Sequence, residues 1–163
     1  MAEITLARVD DRLVHGQVMQ VWTKGHGTNA AYVIDDATAA DEFMKEIYES
    51  TQSTGGLAIK VFSSASIVDE WNKTQFGNDN VALIFTSIAY AKQAVDGGVP
   101  IKELNVGGIA IKPGTTKVIE SVGLSKDDAE LCKALDAAGV KVYFQKIPSS
   151  ENVSLSAALA KMG

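Results

Sequence analysis

The chain has 163 residues, 46% of them hydrophobic and 21% charged, with a formal net charge of -5. That is an ordinary globular balance for one domain with a sizeable core, and the acidic sign argues against a nucleic-acid surface, which carries a basic stripe. A single cysteine, Cys132, excludes an intramolecular disulfide and a cysteine-rich metal site. No apolar run approaches the roughly 20 residues that span a bilayer. The opening MAEITLARVD lacks the basic-then-apolar pattern of a signal peptide. A cytoplasmic protein is expected.

Ile4 to Ala7 reads as a first strand, and Val18, Val21 and Trp22 fall on one face of a first helix that Gly25 stops. Ala31 to Ile34 reads as a second strand ending at Asp35-Asp36. Thr38 with Asp41 resembles a capping box, followed by Phe43, Met44, Ile47 and Tyr48 at helical spacing. Leu57 to Phe62 reads as a third strand, and Ile67, Val68 and Trp71 mark a helix behind Ser63-Ser64. Val81 to Phe85 is the most hydrophobic strand; Ile88, Ala91 and Val95 mark the helix after it, and Gly97-Gly98 ends that helix. Leu104 to Val106 is a fifth strand before Gly107-Gly108, and Val118-Ile119 a short sixth after the Lys112-Pro113-Gly114 turn. Ser125 with Asp128 caps a helix carrying Leu131, Cys132 and Leu135. Val140 to Phe144 is the last strand, and Leu155, Ala158, Leu159 and Met162 predict a C-terminal helix.

Strands alternating with helices predict βαβ units: an α/β, doubly wound, mostly parallel sheet with helices on both faces. No linker, repeat or low-complexity stretch divides the chain, so residues 1–163 read as a single domain. In such sheets, sites lie beyond the carboxyl ends of the strands. The richest of these loops is Arg8 to Gly16, within RVDDRLVHGQV, which holds two arginines, two aspartates and one of two histidines. Free N–H groups where a helix begins favour an anion, so a phosphoryl group is the expected guest. Neither GxxxxGK[ST] nor GxGxxG occurs, which argues against a nucleotide.

A neutral imidazole can take a phosphoryl group by in-line attack, which gives His15 a candidate role as nucleophile. Arg8 and Arg12 can supply guanidinium forks to the oxygens, and Asp10 can hold the other ring nitrogen. The set needs no metal. Read from the residues alone, His15 fits equally a structural or exposed loop histidine, and the four charges a solvated surface cluster. His26 reads as structural and the two tryptophans as core. Asp35-Asp36 reads as a cap of the next helix. Thr86 and Ser87 read as either caps or ligands, and Gly107-Gly108 as backbone accommodation. Leu13 and Val14 read as either a docking ring or a cover for the sheet edge.

RVDDRLVHGQV resembles the signature segment of the enzyme IIB components of the bacterial phosphoenolpyruvate:sugar phosphotransferase system, in the mannose/fructose/sorbose class. Trp22, Val33-Ile34-Asp35-Asp36-Ala37, Asn105-Val106-Gly107-Gly108, Gly139-Val140, Gln145 and Pro148 extend the resemblance in order along the chain. Ile109 departs from it, standing where relatives often carry methionine.

The resemblance implies a doubly wound sheet of about seven strands and a phosphorylated histidine at His15, flanked by Asp10 and Arg12, with Arg8 in support. Backbone N–H groups at Gly16 and Gln17 would receive the anion, and Thr86 and Ser87 are the candidate hydroxyl donors. It implies a phosphorylated IIA partner as donor, a sugar as final acceptor, and a membrane IIC/IID permease that holds the chain at the inner face of the membrane. No cofactor, metal or nucleic acid enters. The sugar and the oligomeric state do not follow from it, and the opening Met1 with a whole domain favours a free-standing chain over a IIA fusion. A response-regulator receiver would need an aspartate ending strand three and a lysine ending strand five. Phe62-Ser63-Ser64 and Val106-Gly107-Gly108 supply neither. A small-ligand binding module would leave the His15 constellation unexplained.

Overall fold

The computed structural model describes residues 2–12, 16–50 and 57–163, with residues 16–18 and 20 as backbone. The elements in chain order are β1 (Glu3–Asp10), α1 (Gly16–Thr23), β2 (Ala30–Ile34), α2 (Asp36–Ala40), α3 (Glu42–Ser50), β3 (Ala58–Phe62), α4 (Ser64–Thr74) and β4 (Asn80–Phe85). Then come α5 (Ile88–Asp96), β5 (Glu103–Gly108), β6 (Thr116–Ile119), β7 (Val122–Leu124), α6 (Lys126–Ala137), β8 (Lys141–Phe144), β9 (Val153–Ser154) and α7 (Leu155–Lys161). Among the described residues the main sheet has seven strands in the order β3-β2-β4-β1-β5-β8-β9. All pairs are parallel except β8 with β9. The expected α/β doubly wound architecture is what the chain adopts.

Apolar burial explains the layering. The strands β2 (AAYVI) and β4 (VALIF after Asn80) are buried along their length, as parallel strands covered on both faces must be. On one face Val9, Leu83 and Phe85 pack with Ile67 of α4, Ile88 of α5 and Leu135 of α6. On the other, Leu6, Val33 and Ile84 pack with Met19 of α1. Ser63, Ser87, Ser125 and Ser154 each cap a helix by accepting an N–H three residues on. These caps fix where α4, α5, α6 and α7 begin.

The structure departs from the sequence reading in five places. β1 does not stop at Ala7 but continues through Arg8, Val9 and Asp10, paired with β4 and β5. The expected sixth strand leaves the main sheet and pairs with β7 as an antiparallel hairpin, and the sheet's seventh strand is the two-residue β9. Asp35, not Thr38, caps α2, accepting the Thr38 N–H at 3.1 Å, and Asp41 in turn accepts the Met44 N–H where α3 starts. Among the described side chains of α1, Met19 and Thr23 are buried and Trp22 packs on the core, while Val21 is exposed. The apolar residues of α3 face outward, with Phe43 71% exposed and Met44 and Ile47 also exposed. This helix flanks the edge strand β3, where only Tyr48 among the four reaches the core. Its Glu49 carboxylate accepts the N–H of Val61 at 3.1 Å, so a helix side chain covers part of that edge.

Candidate functional site

The carboxyl ends of β1, β4 and β5 meet at one side of the sheet, where Val9 sits between Phe85 and Val106. Alternation along β1 sends Arg8 and Asp10 to the same face, two residues apart. Both are buried, at 1% and 2% exposure. Burying two charges is costly unless each is paired and hydrogen-bonded, and here they are. Arg8 Nη2 donates to Asp10 Oδ2 at 3.2 Å and to the Lys146 carbonyl at 3.0 Å. Arg8 Nη1 donates to the Asn105 side-chain oxygen and to the Gln145 carbonyl. The Trp22 ring lies against this guanidinium, 5.3 Å away, and its indole N–H also donates to Lys146 O.

Asp10 is saturated. Its Oδ1 accepts from the Arg12 backbone N–H at 3.1 Å and from Arg12 Nε at 2.9 Å, and its Oδ2 accepts from Arg12 Nη2 at 2.9 Å as well as from Arg8. A carboxylate offers about four lone-pair sites, so all are used. Burial alone would push this carboxyl up, but the bonds from Arg12 and the two positive charges hold it below its ordinary value. The bond to Asp10 raises Arg12, whereas burial lowers Arg8 despite Asp10. The result is one carboxylate between two guanidiniums, with the surplus positive charge at Arg12, whose side chain is 40% exposed.

The glycine pair after β5 makes room for this group, as the sequence reading expects. A Cβ on Gly107 would fall on the Arg8 guanidinium, and one on Gly108 would stand 2.6 Å from Asp10 Oδ1. Gly107→Ala is therefore expected to lose about 3 kcal/mol of stability by overpacking. Chemical denaturation checks it, and an unchanged midpoint would contradict this packing. The neighbouring loop is fastened too, since Asp11 Oδ2 accepts the Ala110 N–H at 2.8 Å.

The candidate site residues fare differently. Asp10, Arg12 and Arg8 come together. Arg8, however, turns its two terminal nitrogens inward, so in this structure it holds Asp10 instead of lining an open anion site. Asp10 has no acceptor position left for an imidazole N–H; what it fixes is Arg12, including that residue's backbone. His15 lies outside the described residues, as do Leu13 and Val14. Gly16 and Gln17 open α1, where the first-turn N–H groups have no intrahelical partner. Thr86 donates its hydroxyl proton to Asp35 Oδ1 at 2.7 Å and so is not a free donor. Ser87 caps α5 by accepting the Tyr90 N–H, which leaves its own proton uncommitted among the described residues. Asp35 accepts from Thr38 and Thr86, and these bonds outweigh burial and keep it below its ordinary value. Asp36 accepts from the N–H of Ser64 at 2.6 Å. Both aspartates thus hold loop ends. Asn105, Trp22 and the carbonyls of Gln145 and Lys146 complete the buried group; no charge pattern in the sequence announces them.

Comparison with known proteins gives a consistent set of relatives. Residues 4–163 match the family described as PTS system sorbose subfamily IIB component. The mannose-specific EIIAB component of the PTS system in Escherichia coli K12 is 32% identical over 98% of this chain and 49% of its own length. The chain thus spans about half the length of that relative. The sorbose-specific EIIB component of Lacticaseibacillus casei is 31% identical, over 91% of this chain and 92% of its own. Among solved structures, the IIBSor domain of the sorbose permease from Klebsiella pneumoniae superposes with a TM-score of 0.88 at 30% identity, covering 99% of this chain and 98% of that one. For manxB from Thermoanaerobacter tengcongensis the TM-score is 0.89 at 40% identity, with coverage of 99% and 97%.

Proposed function

Because the chain belongs to the sorbose subfamily of PTS IIB components, we propose that it relays a phosphoryl group on His15, from a phosphorylated IIA component to a sugar moving through a IIC/IID permease. Sugar phosphotransfer is the activity of the family; the acceptor, donor and permease are this reading's own. The observation that carries it is the Asp10–Arg12 clamp: β1 ends at Asp10, Arg12 stands three residues before His15, and α1 begins one residue after it. A cationic fork and the first turn of a helix thus flank the imidazole in the chain.

The step balances without a cofactor or metal. A ring nitrogen of neutral His15 forms a new P–N bond, the donor's P–N bond breaks, and its electron pair returns to the donor imidazole. Arg12 meets the charge on the equatorial oxygens, and the N–H groups of Gly16 and Gln17 receive it from the helix side. Ser87 is the hydroxyl donor left for it. Arg8 acts behind Asp10, and Asp10 acts through Arg12. No described helix is long and apolar enough to cross a membrane, so we assign the membrane step to the permease and place this chain at the cytoplasmic face. Residues 1–163 act as one functional domain.

Such a relay must not hold its cargo too tightly. Arg12→Ala is expected to slow transfer from IIA and transfer to sugar, each by about 100-fold, the cost of removing one preorganised donor from a developing charge. Rapid-quench assays of the two half-reactions, starting from purified phosphorylated IIA, measure this. Wild-type rates in both would refute the role given to Arg12.

A further inference from the structure

We infer that Asn105 is a positioning residue for phosphoryl transfer: it sets the Arg8 guanidinium that braces Asp10, and through Asp10 the Arg12 fork. This rests on the reading of Arg12 as the phosphoryl clamp. Asn105 is wholly buried, at 0% exposure, in β5 directly beside Arg8 in the register. Its Nδ2 donates to the Gln145 carbonyl at 3.1 Å and its Oδ1 accepts from Arg8 Nη1. With a carbonyl on one side and a cation on the other, only one orientation of the amide satisfies both.

The bracing is directional. A guanidinium is planar, so fixing one terminal nitrogen fixes where the other points. Nη2 is thereby aimed at Asp10 Oδ2 at 3.2 Å. Arg8 Nε has no hydrogen-bond partner among the described residues, so the hydrogen bonds that orient the group are those of its two terminal nitrogens. Gly107, by lacking a Cβ, lets the guanidinium lie against β5. The two contacts from Arg12 side-chain nitrogens to Asp10, both 2.9 Å, are the last link of the chain.

The neutrality of Asn105 is part of the device. A carboxylate at this position would cancel the surplus positive charge that the Arg8–Asp10–Arg12 group delivers at its exposed end. An apolar residue would leave Arg8 Nη1 and the Gln145 carbonyl each short of a partner. An amide anchors the cation without drawing its charge away from the site.

The test is a double-mutant cycle with Arg12, read on phosphoryl uptake from purified phosphorylated IIA. Asn105→Ser leaves room for water to serve Arg8 and is expected to fold; Asn105→Leu is the stricter variant. Each is expected to lower kcat about 10-fold through misplacement of the clamp, with the KM for phosphorylated IIA within about twofold of wild type. In the Arg12→Ala background the same substitutions should cost less than about twofold, because the group they act through is gone. Losses that multiply in the double variant, a raised KM at unchanged kcat, or unchanged kinetics would overturn the inference while leaving the relay itself standing. If neither variant folds, Asn105 is a residue of the fold only, which also overturns it. If wild type takes up no phosphoryl group, the relay fails and the inference falls with it.

Discussion

His15→Ala is expected to take up no phosphoryl group from phosphorylated IIA, where wild type is expected to take up one that is lost in acid and stable in base. This all-or-none loss is the largest effect expected of any substitution. It follows from what else stands near the end of β1. Asp10 is filled on both oxygens by arginine N–H groups. Asp11 is spent on the Ala110 N–H, Asp35 on Thr38 and Thr86, and Asp36 on Ser64. Each carboxylate is thus already an acceptor in a structural bond, which conversion to an acyl phosphate would weaken by removing its charge. Intact mass, before and after acid and before and after base, is the measurement. The reagents are phosphoenolpyruvate, enzyme I, the small histidine phosphocarrier and a matching IIA. Equal labelling of the variant, with the label now lost in base, would move the acceptor to an aspartate. Failure of wild type to label from a verified phosphorylated IIA would refute the relay.

Asp10→Asn costs about 3–5 kcal/mol of stability, because it strands a buried guanidinium without its counter-charge. Arg8 is 1% exposed and Asp10 2%, so water cannot replace the lost charge. The asparagine would also have to accept at one oxygen what the carboxylate accepts at two. Urea unfolding should show the midpoint falling with little change in slope. The same pair carries a pH signature. Asp10 is held below its ordinary value in the folded chain, so its contribution is complete above the unfolded carboxyl value of about 3.9 and disappears as pH falls through the lower folded value. The gap between wild type and Asp10→Asn should therefore stay level down to about pH 5 and narrow as pH falls below about 3.9 and on through the folded value. A constant gap would mean that the carboxylate's charge is not what Arg8 requires. A midpoint unchanged at pH 6 would refute the pairing outright.

The sequence made the layered fold readable wherever apolar residues carried it. β2 and β4 are runs of branched and aromatic residues with turn signals at both ends, and the start of α6 announces itself by its Ser125 cap. It misread β1, because Arg8 and Asp10 look like loop residues when each is considered against solvent. Their pairing with each other and with Asn105, across β5, is a long-range fact that local pattern does not contain. The hairpin of β6 and β7 and the two-residue β9 were hidden for a related reason: strands so short carry too little periodicity to show which sheet they join. In the site, the motif pointed at Asp10 and Arg12, whose bonds are local. It did not reveal that Arg8 faces inward, nor that Trp22 and the Gln145 and Lys146 carbonyls serve it, since a backbone carbonyl looks the same at every position. Thr86 and Ser87 stand at a strand end as expected, but only the geometry distinguishes the hydroxyl already committed to Asp35 from the one without an acceptor among the described residues.

The position of β1 has a temporal consequence. It is the first strand in the chain and the middle strand of the sheet, and its neighbours are β4, reaching Phe85, and β5, reaching Gly108. During synthesis at about 5–20 residues per second, the ribosome has released β1 for on the order of ten seconds before its second neighbour exists. Through that interval Arg8 and Asp10 remain hydrated, with neither Asn105 nor the glycine pair to enclose them. The enclosure of Arg8 and Asp10 is therefore a late product of folding: it waits for a distant segment to close onto the centre of the sheet, and loop closure of that span is a slow step. Enclosure of Arg8 and Asp10 and completion of the sheet are, for this chain, the same event.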